Sequence, residues 1–246
     1  MALTADRITK YKNPGRIING VLKASETIYQ GSLVAIDGTT GKLESATAAA
    51  NKIIGGVAKD QAVAAATGTT RLDYWSEGEF LFTKTTAAIT DVGKIAMVID
   101  DQTVAPALGT MTTALTGNNN DLLFTALQPY NGILGDQITI TYLDPGVASH
   151  TGKVDVYGMG IVFTLATDTS GTITTTGDNI KTYLAANTVA AAMVSAADVA
   201  SNDGSGAVTA MDGVRLTAGP IVGTIVGHDS TTGVWIDIGR KIATGL

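Results

Sequence analysis

The sequence contains no cysteine and only two histidines, His150 and His228. The missing thiol excludes a disulfide framework, a thiolate metal site and a cysteine nucleophile. Two histidines leave almost no material for a histidine-based metal or catalytic centre. Aromatic residues are also scarce, at 5% of the chain. These absences remove several enzyme classes from consideration.

Long apolar runs and an excess of positive charge are missing as well. No apolar stretch approaches the roughly 20 residues that span a bilayer, and the opening residues MALTADRITKYKNPGR lack the apolar core of a secretion signal. The formal net charge of −6 argues against a broad nucleic-acid-binding face. We therefore predict synthesis in the cytoplasm, with neither a membrane nor nucleic acid as a partner.

The sequence has few charged residues and many uncharged polar residues and glycines. Only 15% of the residues are charged, against roughly 25% in typical soluble domains, whereas 45% are hydrophobic and 29 are Gly. Short runs such as GSLVAID, KIIGGVAKD and EFLFTK are separated by turns, which is typical of antiparallel strands. The glycines predicted to shape these turns are Gly38, Gly41, Gly56, Gly78, Gly93 and Gly233. The pattern predicts a mainly β fold with a small β-barrel or sandwich as its base.

One internal segment differs from its surroundings. Between positions 112 and 219 the chain has nine acidic and three basic residues, so this segment carries the whole net charge. It starts with strand-like alternation and becomes Ala-rich, with an N-cap at Thr176 and a split into two short helices at Asn187-Thr188. We predict an inserted α+β domain at 112–219, within a discontinuous β-rich base formed by 24–111 and 220–246.

The first 23 residues form a third region, which is basic. Two interpretations remain open: a solvated terminus that frays, or an arm that lies across an acidic partner and becomes ordered on binding. The candidates for such contacts are Arg7, Lys10, Tyr11, Lys12 and Arg16.

A search for chemistry finds no catalytic, cofactor-binding or metal-binding set. Gly41-Lys42 and Gly93-Lys94 lack the remaining residues of a phosphate-binding loop. Ser149-His150 are neighbours on a loop, a placement that rarely gives attack geometry. The stretch 202–206 lacks the spaced acids of a calcium loop. We therefore predict a protein that is not an enzyme and needs no cofactor.

Several of the strand-like motifs occur together in a known kind of protein. The runs LKASETIYQGSLVAID, IIGGVAKDQ, YWSEGEFLF, ITDVGKIAMVIDDQTVA and VGTIVGHDSTTGVWIDI resemble, in this order, those of bacteriophage capsid cement or decoration proteins. The likeness covers roughly 20–111 and 220–242. The segment between them is similar to a module found inserted in various phage structural proteins.

The resemblance implies a virion protein on the capsid exterior, made in the host cytoplasm. Its partner would be the major capsid protein, and it would form a homo-oligomer, with a trimer favoured and a dimer possible. The inserted domain would face outward into solvent, where its negative charge keeps particles apart. The cement function would arise from many weak contacts acting together on one lattice.

Two alternatives to the cement function remain. A tail or baseplate structural protein keeps the virion role and changes the partner. A host-surface carbohydrate-binding module is the other, with stacking faces offered by Tyr130, Tyr142, Tyr157 and Tyr183. Scattered tyrosines are more often core residues or members of strand pairs, which weakens this second alternative.

Overall fold

The computed structural model describes residues 2–7, 9–12, 15–49, 51–127, 129–130 and 132–239. These residues are mainly β, which confirms the predicted fold class. The chain divides into two units, one made of 1–107 with 219–246 and one made of 108–218. We call them the split unit and the continuous unit. The predicted boundaries, 111/112 and 219/220, lie four residues and one residue from these positions.

The described residues include twenty strands, two α-helices and two 3₁₀-helices, Ile89–Asp91 and Gly132–Gln137. The first part of the split unit contains β1 (Tyr11–Lys12), β2 (Ile17–Val21), β3 (Thr27–Ile28), β4 (Leu33–Asp37), β5 (Leu43–Ser45), β6 (Lys52–Ala58), β7 (Ala62–Val63), β8 (Arg71–Trp75), β9 (Glu79–Thr83), β10 (Ile95–Val98) and β11 (Val104–Pro106). The continuous unit contains β12 (Thr110–Thr112), β13 (Leu122–Ala126), β14 (Thr139–Leu143), β15 (Lys153–Tyr157), β16 (Gly160–Thr164), α1 (Gly177–Ala186), α2 (Thr188–Met193), β17 (Val194–Asp198) and β18 (Met211–Arg215). The split unit then resumes with β19 (Ile221–Ser230) and β20 (Gly233–Asp237).

Two large antiparallel sheets build the split unit. Their strand orders are β1-β9-β20-β19-β10-β11 and β2-β8-β6-β4-β5, and β3 pairs with β7 in a small ribbon. Alternating apolar residues of both sheets share one core, among them Phe80, Phe82 and Ile236 from the first sheet and Leu33 and Val57 from the second. Burial of these side chains is the main force that holds the two sheets together.

The five-stranded sheet also has a core on its other face. Leu22, Ile28, Leu43 and Tyr74 belong to this smaller cluster. A bridge between Leu22 and Leu43 joins the two edge strands β2 and β5 at one point. The sheet is therefore curled, and β3 and β7 contribute Ile28 and Ala62 to the space inside the curl.

The segment YWSEGEFLF forms a corner between sheets. Its two strands, β8 and β9, flank the predicted turn at Glu77-Gly78, but β8 pairs with β2 and β6 whereas β9 pairs with β1 and β20. The two strands therefore do not form a hairpin with each other. Both sheets need apolar strands to cover the shared core, and the turn at Gly78 sends one strand to each.

The continuous unit has its own sheets and core. Strands β12, β13 and β17 form one antiparallel sheet, and β15, β16, β14 and β18 form another in which β14 and β16 are parallel. Phe124, Tyr142 and Phe163 meet in its core, with Ile180 from α1 and Met193 from α2. Thr176 caps α1 and Asn187 caps α2, so the predicted N-cap and helix split are confirmed.

Residues of the predicted N-terminal arm belong to the sheets of the split unit. β1 pairs with β9, and β2 pairs with β8. In the described part of positions 1–23 the chain therefore continues the β structure instead of forming a separate region. The predicted boundary at 23/24 has no counterpart in the division of the chain.

Candidate interaction surface

Arg7 fastens the N-terminal segment to the split unit. Its backbone N–H donates to Gln30 O at 3.1 Å, and its Nη2 donates to Leu81 O at 2.7 Å. The guanidinium carbon lies 5.8 Å from the centre of the Phe82 ring. Burial lowers the pKa of Arg7, and the carboxylate of Asp101 opposes this effect. Arg7 therefore acts within the fold and is a poorer contact candidate than its sequence position indicates.

Lys10, Tyr11 and Lys12 lie along one edge of the six-stranded sheet. All three side chains are exposed, that of Tyr11 to 55%. The carbonyl of Lys10 accepts a hydrogen bond from Leu81 N at 3.0 Å, which continues the pairing of β1 with β9. Lys12 Nζ lies 4.2 Å from the centre of the Trp235 ring, within the range of a cation–π interaction. These three residues stand on a supported backbone, and we call them the β1 surface.

A small cavity opens beside the β1 surface. The Tyr11 ring lies 6.3 Å from the rings of both Trp75 and Phe80. The cavity measures about 100 Å³ and is lined by Arg7, Thr9, Tyr11, Gln30, Gly31, Val57, Ala58, Lys59, Trp75 and Phe80. Aromatic rings around a cavity, with lysine amines close by, suit a partner segment that offers an apolar side chain next to acidic residues.

Arg16 lies at a different opening. Its side chain is exposed, and its carbonyl accepts hydrogen bonds from Ser76 N at 2.8 Å and Ser76 Oγ at 3.0 Å. It lines a groove of about 320 Å³ together with Ile18, Ile36 and Tyr74. The five contact candidates therefore divide into Arg7 within the fold, the β1 surface, and Arg16 at the groove.

An ion-pair network that the sequence analysis missed lies on the five-stranded sheet. Lys52 Nζ contacts Glu44 Oε1 and lies 3.0 Å from Asp37 Oδ2, and Lys23 Nζ lies 2.9 Å from Glu44 Oε2. Hydrogen bonds from Lys52 and from the backbone N–H groups of Thr40 and Thr39 lower the pKa of Asp37. The same pairing raises the pKa of both lysines. The cluster is therefore a network of fixed charges with no group poised to transfer a proton.

A second buried carboxylate, Asp91, has two lysine partners. Asp91 is 4% exposed, and its oxygens lie 3.0 Å from Lys84 Nζ and 2.9 Å from Lys94 Nζ. Burial on its own raises the pKa of Asp91, but hydrogen bonds from Lys94, the N–H of Ala88 and Lys84 outweigh it and hold the pKa at about 2. Asp91 therefore fixes the loop before β10.

A third buried carboxylate, Asp101, ties three chain segments together. It accepts hydrogen bonds from Leu3 N at 2.9 Å and from Ser45 Oγ at 3.1 Å, and it is 1% exposed. Burial raises the pKa of Asp101. The sequence gives no sign that residues 98 and 56 positions away bond to Asp101.

The predicted turn glycines fall into two groups. Backbone φ is positive at Gly41, Gly56, Gly78 and Gly93, where a side chain is disfavoured. The remaining two, Gly38 and Gly233, have ordinary φ, and a Cβ at Gly38 would lie 2.7 Å from Asn51 O. These glycines shape the backbone and form no ligand site.

The histidines and acidic loops show structural contacts. His150 Nδ1 lies 3.1 Å from Leu165 O, and His228 lies within β19 opposite Val234. Asp203 Oδ1 accepts from Ser205 N at 3.0 Å in a local turn. Among the residues that the structure describes, no group of three or more His, Asp or Glu side chains could hold a metal ion.

The four tyrosines considered for carbohydrate stacking do not form a common face. Tyr142 is buried among the rings of Phe124 and Phe163, and burial raises its pKa. The side chains of Tyr130 and Tyr183 pack against the same core. Only Tyr157 of the four is largely exposed, at 68%. Three of the proposed stacking faces are therefore core contacts.

Comparison with protein-family models, curated proteins and solved structures finds no match to this chain. No helix within the described ranges is long and apolar enough to cross a membrane.

Proposed function

We propose that this chain is a structural virion protein of a bacteriophage, which binds the outer surface of the capsid and cements the shell. One observation supports the proposal above others. The segments that resemble capsid cement proteins supply β3, β4, β6, β8, β9, β10, β19 and β20, which are all strands of the split unit. The β1 surface lies on an edge of the same unit.

The chemistry of the β1 surface fits an acidic protein partner. Two exposed amines, Lys10 and Lys12, flank the half-exposed ring of Tyr11. Burial of the ring supplies apolar contact area, and the amines favour acidic groups on the partner. Each contact is small, so firm attachment requires many copies bound to one lattice. The partner in this proposal is the major capsid protein, and the chain acts as a homo-oligomer, with a trimer favoured.

The continuous unit has a separate part in this proposal. It contains nine acidic and three basic residues, whereas the rest of the chain is neutral. A neutral unit can approach a protein shell without long-range repulsion, and an acidic one is favoured in solvent. We therefore assign the shell contact to the split unit and the outward position to the continuous unit.

Cryo-electron microscopy of decorated shells tests the proposal. Purified protein is mixed with expanded, undecorated shells assembled from the major capsid protein encoded in the same genome. We expect added density at symmetry-related positions on the outer surface. Density on tails, with none on shells, would move the protein to the tail or baseplate alternative. Absence of density on both would contradict a virion role.

A charge variant tests the β1 surface itself. In Lys10→Gln/Lys12→Gln, we expect shell affinity to fall by about tenfold at low salt and to depend less on salt concentration. Arg71→Gln is the control, because Arg71 is an exposed cation of the same unit that lies on β8, in the other large sheet. Equal affinity of the two variants would show that the β1 surface does not contact the shell.

A further inference from the structure

The four-stranded sheet of the continuous unit, β15-β16-β14-β18, covers the core with one of its two faces. In β14, Ile140 and Tyr142 are buried in this core, and Thr139 and Thr141 alternate with them and are partly exposed. Side chains of a strand point alternately to the two sides of its sheet, so both threonines lie on the side away from the core. We call the side that carries Thr139 and Thr141 the open face.

The register of the strands places four residues in one row across the open face. Tyr157 of β15 lies opposite Gly160 of β16. Thr139 of β14 lies opposite both Gly160 and Arg215 of β18. Neighbouring strands are about 4.8 Å apart, so the row is about 14 Å long. An aromatic ring therefore stands at one end of the row, a hydroxyl lies within it, and a guanidinium stands at the other end.

The side chains of this row are available to a ligand. Tyr157 is 68% exposed, and Arg215 is exposed as well. Among the described residues, the side chains of Thr139 and Arg215 have no hydrogen-bond or ion-pair partner. The other two basic residues of the unit, Lys153 and Lys181, lie 2.7 Å from aspartate oxygens. Arg215 therefore carries the unpaired positive charge of an acidic unit.

Two glycines keep the middle of the open face uncovered. Among the described residues, a Cβ added at Gly160 would meet Tyr157 O at 3.4 Å and Thr139 Oγ1 at 3.8 Å, and no ring atom. A Cβ added at Gly213 of β18 would lie 3.2 Å from Thr141 Oγ1. Without side chains at these two positions, a ligand can approach the backbone and the threonine hydroxyls closely.

These groups match the chemistry of a saccharide that carries a carboxylate. The apolar face of a sugar ring stacks on an exposed aromatic ring, and threonine hydroxyls both donate to and accept from sugar hydroxyls. An unpaired guanidinium binds a carboxylate through two parallel hydrogen bonds. We propose that the open face binds an oligosaccharide, with one sugar ring stacked on Tyr157 and the carboxylate of another sugar on Arg215.

The charge of the continuous unit narrows the class of ligand. With nine acidic and three basic residues, the unit repels densely charged polyanions such as nucleic acid. A single carboxylate beside Arg215 is still attracted, because charges beyond about 8 Å are largely screened at physiological salt. The ligand is therefore an oligosaccharide with isolated acidic sugars. The inference concerns the continuous unit alone, so its failure would leave the proposed shell binding intact.

Binding of the full chain to an array of bacterial oligosaccharides tests the proposal. The array carries neutral chains, chains with one uronate or sialate among neutral sugars, and polyuronates. We expect the singly acidic chains to bind about tenfold more tightly than the other two classes. Absence of binding to every singly acidic chain would overturn the proposal, and so would equal binding of the neutral chains.

Variants of the two ends of the row test the assigned contacts. Tyr157→Ala and Arg215→Gln should each weaken binding by about tenfold, because each removes one of the two anchoring contacts. Tyr157→Trp keeps an aromatic ring and should bind. Val189→Ala is the matched control, because Val189 is a 56% exposed residue of α2 in the same unit. Binding that persists in both Tyr157→Ala and Arg215→Gln would overturn the proposal.

Amide chemical shifts of the full chain give an independent test of the position. On titration with a singly acidic oligosaccharide selected from the array, the amides of Gly160 and Gly213 should shift. The amide of Gly233, in the split unit, should stay unchanged. Unchanged amides at Gly160 and Gly213 while the oligosaccharide binds would show that the site lies elsewhere and would overturn the proposal.

Discussion

At the scale of single residues, Gly56 combines an unusual backbone angle with a very close approach of two strands. Its φ is +153°, and a Cβ added there would lie 1.8 Å from Trp75 O. The pairing of β4 with β6 shifts register at this point, so a β-bulge lies at Gly55-Gly56. A side chain at Gly56 can be accommodated only if β6 and β8 move apart.

Gly56→Ala should therefore destabilise the protein strongly. We expect its free energy of unfolding to fall by at least about 2 kcal/mol more than that of Gly41→Ala. Gly41 is the matched control because its φ is also positive, at +68°, but open space surrounds the Cβ position. Urea denaturation of both variants measures the difference. Similar losses would mean that φ alone, and not the contact with Trp75, requires the glycine.

Asp91 makes the stability of the split unit sensitive to acid. Its pKa is about 2 in the folded protein, below the usual value of 3.8 for an aspartate side chain. A lowered pKa means that the ionised form stabilises the fold above pH 3.8, and that this contribution is lost as the pH falls toward 2. Asp91→Asn should therefore be less stable than the wild-type protein at neutral pH, and the gap should narrow over this acidic range.

Thermal melts between pH 7 and pH 2 measure this effect. Asp60→Asn is the control, because Asp60 is an exposed residue of the same unit that pairs with Lys59 only at 3.8 Å. This control should follow the wild-type curve. A constant gap between Asp91→Asn and the wild-type protein at every pH would contradict the proposed role of the Asp91 charge.

Single-residue roles were the hardest to predict from the sequence. Arg7 was a contact candidate because it lies in a basic run, but its bonds reach Gln30 and Leu81. The ion-pair partners Glu44 and Lys23 are 21 positions apart, and their contact could not be predicted from the sequence either. Such pairs depend on which strands become neighbours, and no local pattern carries that information. Lys10 and Lys12 are exposed in the structure, and their role as contact candidates stays a prediction.

At the scale of secondary structure, local patterns predicted more. Alternating residues located β13 and β14, and the turn at positions 37–41 marked the pairing of β4 with β5. The corner between β8 and β9 was missed. Turn residues indicate that the chain reverses or bends, whereas the choice of sheet depends on which core the strand covers.

The cap of α1 gives a prediction at this scale. Thr176 Oγ1 accepts from Asn179 N at 3.3 Å, and Asn179 Oδ1 accepts from Thr176 N at 2.9 Å. Thr176→Ala removes one of these bonds and should cost about 1 kcal/mol of stability. Thr182→Ala, in the exposed middle of α1, should be neutral or slightly stabilising because alanine has the higher helix propensity. Chemical denaturation measures the free energy of unfolding of both variants. Changes of the same sign in the two variants would contradict the capping role.

At the scale of the whole molecule, the chain has separate cores for its two units. Every buried residue of the core around Phe124 and Phe163 lies within 108–218, and the other two cores lie entirely outside this range. Charge follows the same division, because the acidic excess is confined to the continuous unit. The change of charge along the sequence therefore falls at the same place as the division of the structure into two units. Each unit buries its own apolar residues and has its own surface.

Removal of residues 108–218, with Ala107 joined to Gly219, should leave a folded split unit. Its two cores lose no member, so we expect a cooperative thermal transition and a β-type circular dichroism spectrum. The control removes the same number of residues shifted to 98–208, which deletes β11 and Val98 and leaves β18 without β14. This control should fail to fold. An unfolded product from the first deletion would show that the split unit depends on the continuous unit for its stability, although the two share no core residue.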